Sequence, residues 1–341
     1  MSGGGLASRP RVRLMTLPTP IVRLDRIEAT LGERLNGVRL FAKRDDLAEL
    51  GGGGNKLRKL EYLIGAAKAK GADTFITVGA RQSNHARLTA AACAREGLAC
   101  ELYLTRSVPR GDTDYVDGGN ILLDDLFGAI IHDLPAHADS LAAAQARAAE
   151  IAGAGGRAYV APSGGSSPVG CLGYAGCADE IIAQEAQLGL QFDAVIVPNG
   201  SAGTHSGLLA GFVAAGREPR TVRSYAVLAT EEEARAETLA KTNAALAELG
   251  RSDRVSMDHV VVDGSARGPG YGIPTTAMVD AVRMMAANEG LLLDPVYSGK
   301  AFAGLIADVA AGHFAHGSNL LFVMTGGTPG LFAYRAEFRG R

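Results

Sequence analysis

The stretch Gly51-Gly52-Gly53-Gly54-Asn55-Lys56-Leu57-Arg58-Lys59-Leu60 holds the residues with the clearest chemical potential in this chain. Glycines carry no Cβ that would keep a ligand away from the backbone. Asn55 is a residue type suited to a helix N-cap, and Lys56 then opens a predicted helix running through Ile64. The positive end of a helix disfavours a second positive charge, so a lysine there titrates low and can attack a carbonyl as an amine to form a Schiff base. Lys59 follows three residues on and shares the same helix face. Two plainer readings compete. Lysines early in helices are commonly solvated surface groups. A phosphate-binding P-loop needs Gly-Lys-Ser/Thr, whereas here the lysine stands between Asn55 and Leu57. The P-loop reading fails.

Other loops add complementary groups. The apolar run Ala194–Val197 leads into Pro198-Asn199-Gly200-Ser201-Ala202-Gly203-Thr204. A strand, a Gly/Ser/Thr turn and a helix start can cradle an anion with successive backbone N–H groups and hydroxyls. A purely structural strand–helix turn explains this stretch equally well when it is taken alone. It is not the Gly-x-Gly-x-x-Gly dinucleotide fingerprint. Gln82-Ser83-Asn84-His85, Tyr271 among glycines, Tyr297-Ser298 and Thr325 lie in further loops. A helix-start lysine, a separate phosphate cradle, hydroxyl-bearing loops and no metal-ligand cluster point to a phosphorylated carbonyl cofactor, pyridoxal 5'-phosphate.

These loops need strands and helices to hold them. Val38–Arg44, Thr74–Val78, Leu98–Leu104, Ile130–Asp133, Ala158–Ala161, Ala194–Val197 and Leu320–Met324 read as short apolar strands. Helical text separates them at Lys56–Ile64, after His85, at Ile121–Leu126, at Ala142–Ala152 and at Val169–Ala186. Such alternation predicts an α/β fold with doubly wound, mostly parallel sheets and helices on both faces. Ligands of open α/β sheets bind at loops following the carboxyl ends of strands, which is where the motifs fall. Pro162–Pro168 breaks the alternation and marks a return between units.

Composition narrows the function. The 341 residues are 47% hydrophobic and 21% charged, with a formal net charge of −2. A large core is possible, and nucleic acid is a poor partner for a chain with no basic block. Cys93, Cys100, Cys171 and Cys177 show no Cys-x-x-Cys spacing, so buried free thiols are expected and no metal site. The scattered histidines lack ligand spacing, and Lys300, after Ser298-Gly299, reads as closing a surface turn. Met1–Arg13 has no apolar signal core, and no run reaches the roughly 18 residues of a membrane span, which favours a cytoplasmic protein with no membrane partner.

Five motifs occur in order: Gly-Gly-Asn55-Lys56-Leu-Arg-Lys59-Leu-Glu, Gln82-Ser83-Asn84-His85, Gly200-Ser201-Ala202-Gly203-Thr204, Gly270-Tyr271-Gly-Ile-Pro and Asp294-Pro-Val-Tyr297-Ser298-Gly-Lys. Together they resemble the D-cysteine desulfhydrase / 1-aminocyclopropane-1-carboxylate deaminase family, in the tryptophan synthase β-like group (fold type II), from about Pro18 to Tyr334. The resemblance implies that Lys56 forms the Schiff base and moves protons at the substrate Cα. It implies that Lys59 and Gly200–Thr204 hold the cofactor phosphate and that Asn84 lies against the cofactor ring. Ser298 and Thr325 complete the cofactor contacts. Ser83 receives the carboxylate of a small amino-acid substrate and acts as an auxiliary acid/base. Gln82, His85 and Arg81 flank the substrate, and Tyr271 and Tyr297 line its side. The family pattern implies a large unit of residues 1–67 plus 171–341, a small unit of residues 68–170, and a homodimer.

Within the family, deaminases carry Glu where this chain has Ser298, Gln where it has His85 and Leu where it has Thr325. A hydroxyl at 298 leaves the cofactor's ring nitrogen neutral, which suffices for β-elimination with a good leaving group. The resemblance thus leans to D-cysteine desulfhydrase, with L-cysteate sulfo-lyase the near alternative and ring-opening deamination or racemisation beyond it. The Gly200–Thr204 turn leans to the desulfhydrase, Gly119–Asp125 and Val296–Gly299 to the sulfo-lyase. Arg81 departs from the small residue expected there; it either welcomes a second anionic group on the substrate or pairs with a surface acid. A non-catalytic binding homologue would lack Lys56 or its cradle.

Overall fold

The computed structural model describes residues 5–339; the first four and last two residues, including the start of the Gly- and Arg-bearing N-terminus, lie outside them. The described residues hold ten strands: β1 (Ile21–Arg23), β2 (Arg39–Arg44), β3 (Thr74–Ala80), β4 (Ala99–Thr105), β5 (Ile130–Leu134), β6 (Ala158–Ala161), β7 (Ala194–Asn199), β8 (Val222–Ala226), β9 (Val261–Asp263) and β10 (Asn319–Met324). They form a six-stranded sheet in the order β1-β2-β10-β7-β8-β9 and a four-stranded sheet in the order β5-β4-β3-β6. Only the β1–β2 pair is antiparallel. The sequence reading had not marked β1, β8 or β9. Their text is short or interrupted by Arg223 and Asp263, so the apolar run that marks a buried strand is absent.

Period-two alternation explains why helices cover both faces of the larger sheet. Leu40, Ala42, Ala194, Ile196, Leu320, Phe322 and Met324 enter one core. Phe41, Val195, Val197, Leu321 and Val323 enter the opposite one. Each such Val, Leu, Ile or Phe, fully buried, contributes ~1.5–3 kcal/mol. The smaller sheet shares Phe75, Leu102 and Leu104 with the Lys56–Ala69 helix in a third core, while Ile76, Val78 and Tyr103 face the Ser140–Gly153 helix.

Helix limits extend the sequence expectations for physical reasons. The Pro168–Leu188 helix starts where the Ser167 side chain accepts from Gly170 N, and it ends at left-handed Gly189. The Asn84–Glu96 helix is capped by Ser83 and closed by Gly97. The Lys56–Ala69 helix is the exception. Asn55 sits in right-handed helical geometry and makes no capping bond; the N-cap expectation is corrected. Its backbone N–H instead donates to Thr325 O (3.0 Å), beside a Gly54–Gly326 backbone bridge. The helix start is therefore pinned by the loop after β10.

Beneath this helix, Arg58 is buried against Asp45 (2.8 Å) and Glu180 (2.8 Å), and Tyr174 also donates to Asp45. The Arg58 guanidinium, with Lys43 and the Tyr174 hydroxyl, holds the Asp45 carboxyl low against the cost of burial. A buried pair costs little only when its remaining donors are satisfied, as they are here.

Candidate active site

A cavity of 310 Å³ opens where loops of both sheets converge. Lys56, Lys59, Ser83, Asn84, His85, Gly200, Ser201, Ala202, Gly203, Thr204, Tyr271, Tyr297 and Thr325 all line it. These residues come from six separate stretches, so the fold brings together motifs up to 269 positions apart (Lys56 to Thr325).

The Lys56 amine donates to Asn55 Oδ1 (3.0 Å) and lies 5.8 Å from the Tyr297 ring centroid. Its pKa is lowered to about 8. Burial is the main cause, Asp294 opposes it, and Arg87 adds to it. Desolvation thus outweighs the helix-end charge that the sequence invoked.

Lys59 is buried and donates to Gly164 O (3.1 Å) and Ser166 Oγ (3.1 Å). Burial, and then the charge of Lys56, push its pKa well down. Ser166 Oγ in turn bonds Ser201 Oγ (2.8 Å). Next to it the Gly203–Ala214 helix begins, preceded by Ala202 in the left-handed region at φ 63°. A Cβ on Gly203 would lie 2.4 Å from Ser166 Oγ and 2.8 Å from Lys59 Nζ, so the cradle leaves no room for a side chain. The buried Lys59 amine, hydroxyls and helix-start N–H groups form the donor set of an anion site. Among the described residues lining the cavity, none is Asp or Glu. This end fits a phosphate dianion.

At the other end, Ser83 caps its helix by accepting from Ala86 N (3.2 Å), which leaves its hydroxyl proton free. Asn84 Oδ1 is buried without a partner. His85 Nε2 meets Thr77 Oγ1 (2.9 Å), and Thr77 spends its own proton on Ala161 O (3.0 Å). Nε2 must then carry the hydrogen, and Nδ1 keeps a bare, buried lone pair. Burial and the neighbouring lysines keep this ring neutral. Tyr271 and Tyr297 join hydroxyl to hydroxyl at 2.6 Å, and burial raises both phenols.

Four sequence expectations are corrected. Arg81 leaves the cavity and faces Asp133 (3.5 Å). Gln82 turns into the protein, donating to Tyr115 O (2.7 Å) and Gly118 O (2.9 Å) while accepting from Asn120 N. Ser298 does not line the cavity either; its hydroxyl donates to Asp294 Oδ1 (2.5 Å) and accepts from Asp294 N (2.8 Å). Lys300 closes no surface turn: it is buried, and it donates to Arg267 O (2.7 Å) and Gly270 O (2.8 Å), holding the loop that carries Tyr271.

The sequence reading also missed supporting groups. Asp294, buried, accepts from the N–H groups of Val296, Tyr297 and Ser298 and so fixes the turn that presents Tyr297. An Asp followed by Pro ahead of a helix was the available signal. Ser163, Gly164 and Ser166 of the Pro162–Pro168 break serve the anion end rather than acting only as a return between units.

The described residues contain no group of three or more His, Cys, Asp or Glu that could hold a metal, and no helix among them is long and apolar enough to cross a membrane. All four cysteines are free and buried.

Known proteins match this architecture. The profile of the family described as "Pyridoxal-phosphate dependent enzyme" matches residues 12–326. A 1-aminocyclopropane-1-carboxylate deaminase of Methylobacterium sp. (strain 4-46) is 41% identical over 340 residues, covering 98% of this chain and 99% of the relative. A D-cysteine desulfhydrase of Salmonella newport (strain SL254) is also 41% identical, over 325 residues, covering 95% and 96%. The crystal structure of an ACC deaminase homologue superposes with a TM-score of 0.86 at 36% identity, covering 98% of this chain and 96% of that one.

Proposed function

The chain belongs to the family of pyridoxal-phosphate dependent enzymes, and on that premise we propose that it is a carbon–sulfur lyase converting D-cysteine to pyruvate, sulfide and ammonium. The observation carrying this reading is that, among the described residues, no carboxylate lines the cavity. Without an acid beside it, the cofactor's ring nitrogen would stay neutral and the ring would withdraw electrons less strongly. Expulsion of a β-sulfur group tolerates that weakness better than opening of a cyclopropane ring does.

Pyridoxal phosphate, when bound, supplies a carbonyl for an amine and an electron sink for charge left at the substrate Cα. Lys59, Ser201 and the Thr204 N–H group would hold its phosphate. Lys56 supplies the amine. At a pKa of about 8 roughly a tenth of it is unprotonated at pH 7, against roughly three parts in ten thousand at the ordinary value of 10.5. The same amine then takes the Cα proton. Ser83, with the N–H groups opening its helix, receives the substrate carboxylate. The Tyr271–Tyr297 hydroxyl pair faces the departing group and can pass it a proton. Loss of the α proton and the β sulfur leaves an enamine that water converts to pyruvate and ammonium.

L-cysteate is the second reading, because Gly119–Asp125 resembles the sulfo-lyase. The Arg81–Asp133 pairing weighs against it, since the cation that would have met a sulfonate is engaged outside the cavity. We further read the chain as a large unit (1–67 plus 171–341) and a small unit (68–170), each with its own sheet. We also read it as a homodimer of the cytoplasm, with four free thiols in keeping with a reducing compartment. Assaying the 2-oxo acid released from D-cysteine, L-cysteate and D-serine (pyruvate) and from 1-aminocyclopropane-1-carboxylate (2-oxobutanoate) tests the activity. Pyruvate with sulfide from D-cysteine is expected. Release from L-cysteate or the cyclopropane alone, or inversion of an amino acid without pyruvate, overturns the reading.

A further inference from the structure

Arg87 lies one turn into the Asn84–Glu96 helix and is wholly buried. Isolated guanidinium groups cost several kcal/mol to bury unless their donors are used. Its Nη1 donates to Gly51 O and its Nη2 to Gly53 O (3.0 Å). Those carbonyls belong to the glycine loop that ends at Lys56. A Cβ on Gly52 would lie 3.2 Å from Nη1, and one on Gly54 would lie 3.6 Å from Nη2. The guanidinium therefore packs closely on Gly52, where a side chain would crowd it.

Behind Arg87 stands Asp124 of the Gly119–Leu126 helix, fully buried, with neither oxygen hydrogen-bonded. The charge of Arg87 lowers the Lys56 pKa and that of Asp294 raises it. Asn55 touches its amine, Lys59 and neutral His85 sit nearby, and Tyr297 presents a ring.

We propose that Arg87 is a positioning residue for Lys56: its clamp on Gly51 and Gly53 fixes the loop that aims the amine into the cavity, and its positive charge acts on that amine against the negative charge of Asp294. Two consequences separate the roles. The clamp needs the forked geometry of arginine, which lysine lacks; the charge needs only a cation.

The inference rests on the reading of Lys56 as the cofactor-linked lysine. Borohydride reduction of the loaded protein followed by peptide mass spectrometry tests that reading alone; a label on another lysine would reject it. The Arg87 test uses the full chain after cofactor release with hydroxylamine, following the rate of Lys56 acylation against pH. Arg87→Met is expected to move the midpoint up, cutting the rate at pH 7 by about tenfold, one pKa unit. Asp294→Asn is expected to move it down. Arg87→Lys is expected to keep the midpoint but release cofactor about tenfold faster, through loss of the paired carbonyl contacts. Midpoints unmoved in both Arg87→Met and Asp294→Asn, or moved in the same direction, overturn the proposal, as does cofactor release unchanged in Arg87→Lys. Should Arg87→Met fail to fold, the other two variants decide.

Discussion

The two ends of the cavity are built by opposite means. The Lys59 end is made of a buried amine, backbone N–H groups and a glycine whose Cβ would strike its neighbours. The Ser83 end is made of neutral hydroxyls held by other side chains: Tyr271 by Tyr297, and Tyr297 by the turn that Asp294 ties. A site of fixed charge and backbone suits a single invariant anion. Hydroxyls on side chains can be exchanged one at a time without disturbing a backbone, so this is where relatives of equal identity with different named substrates have room to diverge. Lys56 stands between the two ends.

That contrast can be broken or sharpened by substitution. The largest effect belongs to the residue common to both ends: Lys56→Ala should lower kcat by ~10³-fold or more and abolish the borohydride-sensitive absorbance band. At the anion end, Lys59→Met should weaken cofactor affinity about 10–100-fold, the range for one hydrogen bond to a charged group, while kcat at saturating cofactor changes little. A kcat loss without an affinity loss would erase the distinction between the ends.

The next effect is on stability. Lys56 has a folded pKa of about 8, below the ordinary 10.5, so the unfolded chain binds more protons between those values and stability rises with pH there. Lys56→Met should therefore stabilise the cofactor-free protein by at most ~3 kcal/mol below pH 8, from 1.36 kcal/mol per pKa unit. The gain should vanish above pH 10.5, as thermal melts across pH would reveal. The smallest effect falls at the substrate end: Ser83→Ala should raise KM about tenfold and leave cofactor affinity intact.

Much of the fold was legible because β2, β7 and β10 are apolar on both faces, and a doubly buried strand leaves an unbroken run. β8 and β9, nearer one edge of the same sheet, did not need one and were missed. The cavity residues were legible where function requires a residue type at a loop: a lysine before a helix, hydroxyls in glycine turns. Legibility ended where an interaction has no partner signature. Arg87 and Lys300 bond to backbone carbonyls, which every residue carries, so neither could be told from a surface cation. Arg81 and Gln82 adjoin Ser83 in sequence, yet they leave the turn in other directions, and adjacency alone misassigned them.

The Gly54–Gly326 bridge has a consequence for the history of the site. A Cβ on Gly326 would lie 2.7 Å from Gly54 Cα, and one on Gly54 would press on Thr325 O at 3.3 Å. Both residues hold positive φ, at 136° and 72°. A mutation at Gly326 strikes the backbone of Gly54, and one at Gly54 presses on the carbonyl of Thr325, so a side-chain change elsewhere does not remove either backbone contact. Such a contact constrains drift: the hydroxyl end of the cavity can be rewritten side chain by side chain, whereas a side chain at either of these two glycines meets backbone.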